Sequence, residues 1–168
     1  KKLGTLELLF IKPVSLRQTV FGKFLGTFVL ALMALLPTLL YVYTVSRLGT
    51  TVGNLDMGLV GGSYFGLIFL MACYTAIGLF TSTLSENQIV AFLLGLVVCF
   101  LMYYGFEGLS TVFQDGTRAV RIQNLGMKWH FERVARGVLD IRDLIYFVSV
   151  TAFFLFLCVE QLKNSERR

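Results

Sequence analysis

Apolar residues gather along this chain into four long blocks, residues 20–46, 58–81, 89–104 and 144–162, divided by polar stretches. A helix of about 20 predominantly apolar residues crosses the hydrocarbon layer of a bilayer. The pattern therefore predicts four membrane-spanning helices, the third of them short. No Asp, Glu, Lys or Arg falls within residues 24–46, 58–81, 89–104 or 144–159. An intramembrane enzyme or a proton-driven carrier needs ionisable groups inside its bundle, so this emptiness argues against both. Pro37 lies deep in the first block and predicts a kink, because it removes a backbone donor. Gly22 and Gly26 form a GxxxG pair there, and Gly58, Gly62 and Gly66 repeat every four residues at the head of the second block. Small residues at that spacing let helices approach closely. The stripe is read as a packing face, with a lining for a substrate path as the other use of the same missing side chains.

The polar stretches carry patterns of their own. In residues 1–12, Leu3, Leu6, Leu9 and Phe10 fall at helical spacing on one side, and Leu8 and Ile11 widen that stripe. Pro13 predicts a stop at Ile11 or Lys12, since the residue before a proline is pushed out of the helical region. Residues 14–18 then read as a connector. A short basic amphipathic helix of this kind is either an interfacial anchor or a surface offered to another protein. Residues 82–88 (STLSENQ) form a tight hairpin, in which Ser85 and Gln88 have the spacing of a capping box with Glu86 in the first turn. This hairpin is a capped membrane turn or a second contact for a partner. In residues 106–142, Asp115 and Gly116 signal a turn. Beyond it Met127, Phe131, Val134 and Val138 share one helical face, with Glu132 and Arg136 as an i,i+4 pair. That predicts an amphipathic helix at the membrane surface or dipping into it. Trp129 and His130 invite a ligand reading, but one histidine with no second ligand beside it reads better as half of an interfacial Trp–His pair.

Composition agrees with the pattern. The 168 residues are 56% hydrophobic and 15% charged, with a mean hydropathy of +0.74. Soluble domains carry roughly 45–50% apolar and about 25% charged residues, so this is an all-α, polytopic membrane helix bundle. The net charge of +5 is spread along the chain, which suits a bilayer surface and not a nucleic acid. Cys73, Cys99 and Cys158 lie inside apolar blocks with neither the CxxC spacing nor the clustered histidines of a metal site. Nowhere is there a GxxxxGK[ST] phosphate loop, so any ATP and magnesium belong to another subunit. Residues 106–142 hold six basic residues, which divides the positive charge almost evenly between the two sides. Charge alone then leaves orientation open.

Five stretches resemble a known family: GTLELLFIKPVSLRQTVFGKFLG at residues 4–26, PTLLYVYTVSRLGTTVGNLDMG at 37–58, GSYFGL at 62–67, AIGLFTSTLSENQIVAF at 76–92 and WHFERVARGVLDIRDLIYF at 129–147. They are similar to the permease subunits of ABC-2-type transporters, and more closely to the permease associated with gliding motility in Bacteroidetes bacteria. The resemblance implies that residues 1–18 are a cytoplasmic coupling helix and connector, touching a separate ATP-binding subunit through Gly4, Thr5, Leu6, Glu7, Leu9 and Phe10. Ser85 and Glu86 are a second candidate contact. It implies that residues 106–142 are extracytoplasmic and partly re-entrant, and that both Lys1 and Arg168 are cytoplasmic in the bacterial inner membrane. It implies that the four spans are the third to sixth of six, so that two spans are expected ahead of Lys1, and that a second permease subunit completes the membrane path. A membrane anchor or assembly component of a motility or secretion machine would show the same spans without a path.

Overall fold

The computed structural model describes residues 15–48, 56–113 and 116–166. The opening stretch, with the candidate contacts Gly4, Thr5, Leu6, Glu7, Leu9 and Phe10, lies outside the described residues. The elements are α1 (Leu16–Leu35), α2 (Thr38–Leu48), α3 (Met57–Ser82), α4 (Gln88–Phe100), α5 (Phe106–Ser110), α6 (Gly116–Gln123), α7 (Met127–Ala135) and α8 (Ile141–Glu166). Four stretches are long and apolar enough to cross a membrane: Leu16–Leu48, Met57–Ser82, Gln88–Ser110 and Ile141–Ser165.

The connector expected at residues 14–18 is in part helix. Ser15 caps α1: its hydroxyl accepts the Gln18 N–H at 3.4 Å while the Gln18 side chain accepts the Ser15 N–H at 3.1 Å. This reciprocal box satisfies two donors that a helix start leaves orphaned. The first span breaks at Leu36–Pro37 and resumes at once as α2. Around the proline the backbone tightens, with Leu39 N–H bonding Leu36 O and Leu40 N–H bonding Pro37 O, both at 3.1 Å. The hydroxyl of Thr38 takes the freed Leu35 carbonyl at 2.6 Å and also meets the Tyr64 hydroxyl at 2.9 Å. In a bilayer a freed carbonyl has no water to turn to, so this threonine both repairs the kink and ties it to α3.

α3 is the mast of the bundle. Asp56 caps it through the Gly58 and Leu59 N–H groups. Its buried residues Gly62, Gly66, Leu70, Cys73, Ala76, Ile77 and Thr81 form one stripe along its whole length. The core joins that stripe to Met127 of α7, Phe147 and Phe154 of α8 and Phe24 of α1. Lipid tails are as apolar as leucine, so helices in a bilayer gain little from hiding apolar surface and depend on close packing and hydrogen bonds between them. Cys73 supplies one such bond, its thiol 3.3 Å from the Phe147 carbonyl. Large side chains on the outer faces, such as Leu30, Leu40, Ile89, Phe92 and Phe156, stay exposed, as lipid contact allows.

Three elements depart from the sequence expectation. The third span continues past Tyr104 through one π turn, Leu101–Gly105, into α5. The helix that meets the glycine stripe is α7, and it does so at two of the three glycines. A Cβ on Gly62 would stand 2.5 Å from the Val134 carbonyl oxygen, and one on Gly66 would stand 3.2 Å from the Phe131 ring. Gly58 takes no part, since its Cβ would meet only the Asp56 carboxylate. Finally, Val138 lies beyond the end of α7 and is exposed. Gly137, at φ +82°, closes that helix, with Val138 N–H reaching back to Arg133 O and Gly137 N–H to Val134 O. Only glycine adopts that backbone conformation without strain.

Gly62→Ala should therefore destabilise the bundle by about 1–3 kcal/mol, the cost of overpacking, and Gly62→Leu or Gly66→Leu should do so far more than Leu67→Ala. Gly61→Ala and Gly78→Ala, where a Cβ meets nothing within 4 Å, should be neutral or slightly stabilising. Thermal unfolding of the full-length protein in detergent decides it, and equal midpoints across the set would defeat the packing assignment.

Candidate functional site

Polar chemistry collects at the two ends of the bundle. At the end where α1 starts and α8 finishes, a cavity of about 440 Å³ opens between Thr19 and Lys23 of α1, the hairpin residues Ser85 and Glu86, and Gln161 and Ser165 of α8. The start of α1, which follows directly from the opening stretch, and the hairpin are thus two walls of one vestibule. The hairpin is built differently from the box expected there. Asn87 is the cap of α4, accepting the Ile89 N–H at 2.9 Å. The Ser85 hydroxyl is spent on the Asn87 N–H at 3.2 Å, which leaves Glu86 before the helix and not in its first turn. Glu86 is exposed and has no ion-pair partner among the described residues. Hydroxyls, an amide and single charges of both signs suit a polar protein surface better than a buried small ligand.

At the opposite end α5, α6 and α7 make a compact cap on the heads of α3 and α8. The Lys128 ammonium lies 2.6 Å from the Glu107 carboxylate and 3.8 Å from that of Glu132, and 5.3 Å above the Tyr104 ring. The hydrogen bond that the Lys128 ammonium donates to the Glu107 carboxylate raises its pKa above the ordinary lysine range. The adjoining cavity, between Tyr103, Gln123 and Trp129, has a volume of about 110 Å³, well short of the roughly 300 Å³ at which ligand pockets begin.

The most consequential group at this end is Asp143. Its side chain is fully buried, with Oδ1 2.6 Å from Nδ1 of His130. The other ring nitrogen of His130 lies 2.8 Å from the Asn124 carbonyl. A neutral imidazole donates from only one nitrogen. Meeting both acceptors takes a proton on each nitrogen, or one proton resting on the Asp143 carboxyl. The imidazole stacks on Tyr146 with centroids 4.0 Å apart, and the Tyr146 hydroxyl donates to the Leu125 carbonyl at 2.6 Å. Arg133 completes the cluster, 3.1 Å from Asp140 and 3.8 Å from Asp143 Oδ2. Oδ2 itself has no hydrogen-bond partner. The backbone N–H of Arg142, followed by Arg133, holds the Asp140 carboxyl below its ordinary range. That contribution is present above the ordinary value and is lost as pH falls through the lowered one.

His130 is therefore not half of an interfacial pair with Trp129; it is the partner of a buried carboxylate. Sequence reading missed Asp143 because it stops at the edge of the last apolar block. The available signal was an acidic residue at the very head of a span, which is costly unless something pairs with it. The cluster is linked within the chain around the fully buried Asp143 side chain.

Four spans, a capped head and an open polar foot make this a polytopic membrane helix bundle. The profile of the ABC-2 family transporter proteins matches residues 1–167, and the chain belongs to that family. Members are membrane-embedded transport components that work with an ABC ATP-binding subunit. Among curated proteins and solved structures, nothing matches the chain.

Removing one member of a buried hydrogen-bonded pair leaves the other polar group unsatisfied and costs about 1–3 kcal/mol, more if that group is charged, whereas replacing both by apolar groups can be nearly neutral. His130→Leu and Asp143→Leu should each lower the thermal midpoint sharply, and the double variant should lose less than the sum of the two. Strict additivity in that cycle would show that the pair is not coupled.

Proposed function

We propose that this chain is the permease subunit of an ABC-2 exporter-type machine, coupled at the vestibule end to a separate ATP-hydrolysing subunit. The observation that carries the reading is the convergence of α1's start, residues 82–88 and the foot of α8 on one open polar cavity. The opening stretch leads straight into one wall of that cavity, and Ser85 and Glu86 stand in the other. In this reading residues 1–12 dock on the motor through Leu6, Leu9 and Phe10, with Glu7 facing a basic residue of the partner and Gly4 and Thr5 as further contacts. ATP-driven closure of the motor pushes on the start of α1. Because α1 packs on both α3 and α8, the push moves the spans as a body, which is the usual form of alternating exposure. A second permease subunit completes the path, and ATP with magnesium stays on the motor. The resemblance of residues 76–92 and 129–147 to gliding-motility permeases supports a role in that machinery.

Burial of one leucine is worth roughly 1.5–3 kcal/mol, so Leu6→Ala or Leu9→Ala should weaken docking by about one to two orders of magnitude. Glu7→Lys should be worse than Glu7→Ala, because it sets like charges together. Co-purification of full-length variants with the ATPase, beside a check on membrane insertion, is the measurement. Retention of the partner and of transport or motility by all of them would reduce residues 1–12 to an interfacial anchor.

This orientation sets the vestibule in the cytoplasm and the α5–α7 cap outside. A cysteine at Thr117, in a cysteine-free background, should react with an impermeant thiol reagent applied from outside. One at Ser165 should react only after permeabilisation. The reverse pattern would move the motor to the other end and end the coupling assignment.

A further inference from the structure

Beside the vestibule, on the outer surface of the bundle, α1 and α8 part to leave a groove of about 210 Å³. Its walls are Val20 and Phe21 of α1 and Leu155, Phe156 and Val159 of α8, and its mouth carries Arg17 and Lys163. Phe21 and Phe156 are mostly exposed, so the groove opens sideways toward the hydrocarbon layer and not into the bundle. From this arrangement we infer that the groove is a binding site for an anionic phospholipid of the bilayer, its headgroup phosphate held by Arg17 and Lys163 and one acyl chain lying along the two phenylalanines.

Charge complementarity is what selects this occupant. Arg17 has no ion-pair partner among the described residues, and an arginine fork suits a phosphate. It sits in the first turn of α1, which contains no acidic residue, so the positive end of the helix dipole adds to the same field. Lys163 stands across the groove. It is 3.2 Å from Glu160, one turn deeper, which removes part of its charge but leaves the mouth net positive by one. The apolar lining ends where the basic residues begin, as a phospholipid's own boundary between chain and phosphate does. Basic pockets between membrane helices near the headgroup level bind anionic lipids for this reason. The volume takes part of one chain and not a whole lipid, so the site holds a boundary lipid in place and does not swallow it. Its position on α1 places that lipid against the helix that links the opening stretch to the bundle.

The test uses the full-length protein in detergent, titrated with phosphatidylglycerol or with phosphatidylcholine of the same chains, and read by native mass spectrometry and by thermal midpoint. Wild type should retain phosphatidylglycerol preferentially and gain stability from it. Each basic side chain near a membrane surface contributes about fivefold in affinity for anionic lipid, so Arg17→Gln with Lys163→Gln should lose roughly twenty-five-fold. That variant should keep its phosphatidylcholine binding unchanged, which shows it folded. The charge-keeping pair Arg17→Lys with Lys163→Arg should retain most of the preference, and Arg47→Gln with Arg142→Gln, at the far end, should retain all of it. Equal retention of the two lipids by wild type would overturn the site. So would a preference that survives loss of both charges, or one that the charge-keeping pair also abolishes.

Discussion

Everything at the capped end depends on one close approach, that of the last turn of α7 to α3 at Gly62 and Gly66. With the Val134 carbonyl 2.5 Å from where a Cβ would stand on Gly62, the two backbones are as near as helices come. That seating carries Met127 into the core beside Phe147 and turns His130 toward Asp143. It also brings Lys128 within reach of Glu107. A bulkier residue at Gly62 would lift α7 as a unit and break three unlike interactions together: an apolar contact, a buried hydrogen-bonded pair and a surface ion pair. In a bilayer, where hiding apolar surface between helices yields little, such a joint between backbones is the main source of fixed geometry.

The two ends hold their acidic groups differently. At the capped end Glu107 pairs with Lys128, Asp143 with His130 and Asp140 with Arg133, while Arg47, Arg121 and Arg142 have no ion pair among the described residues. At the open end Arg17, Lys23 and Glu86 have no ion pair with any described residue, and Lys163 is matched by Glu160.

How much of this was legible in the sequence differs from one feature to the next. The four blocks and the all-helical class follow from hydropathy, which the bilayer reads in the same way as the eye does. The spacing S-x-x-Q occurs twice, at 15–18 and 85–88, and forms a box only at the first. At the second, Asn87 lies closer to the helix and is an equally good cap, so the rule offered two answers and local geometry chose. The sequence pattern ends the third span at Tyr104, yet the helix carries on through Glu107. It is tolerated because Lys128, far along the chain, arrives to pair with it. Asp143 and His130 found each other in the same way, and no periodicity joins residues 13 apart on different helices. Gly137 did mark the end of α7, ahead of Val138, although the apolar spacing ran past it. Of the candidate contacts, Ser85 and Glu86 stand on the vestibule, and the residues of the opening stretch lie outside the described chain.

The π turn at Leu101–Gly105 is a change of phase. An α-helix turns about 100° per residue, and one π turn inserts a single extra residue into that rotation. Phe92, Leu96 and Phe100 form an exposed row on the lipid side of α4. Carried on in unbroken α register, the row would reach position 107, seven residues past Phe100, and set the Glu107 carboxylate in hydrocarbon. The added residue swings everything beyond it by about a hundred degrees, and Glu107 faces Lys128 instead. One surplus residue in the backbone is thus what separates the greasy lower half of this span from its ionic upper tip, and the helix crosses from one solvent to another by miscounting once.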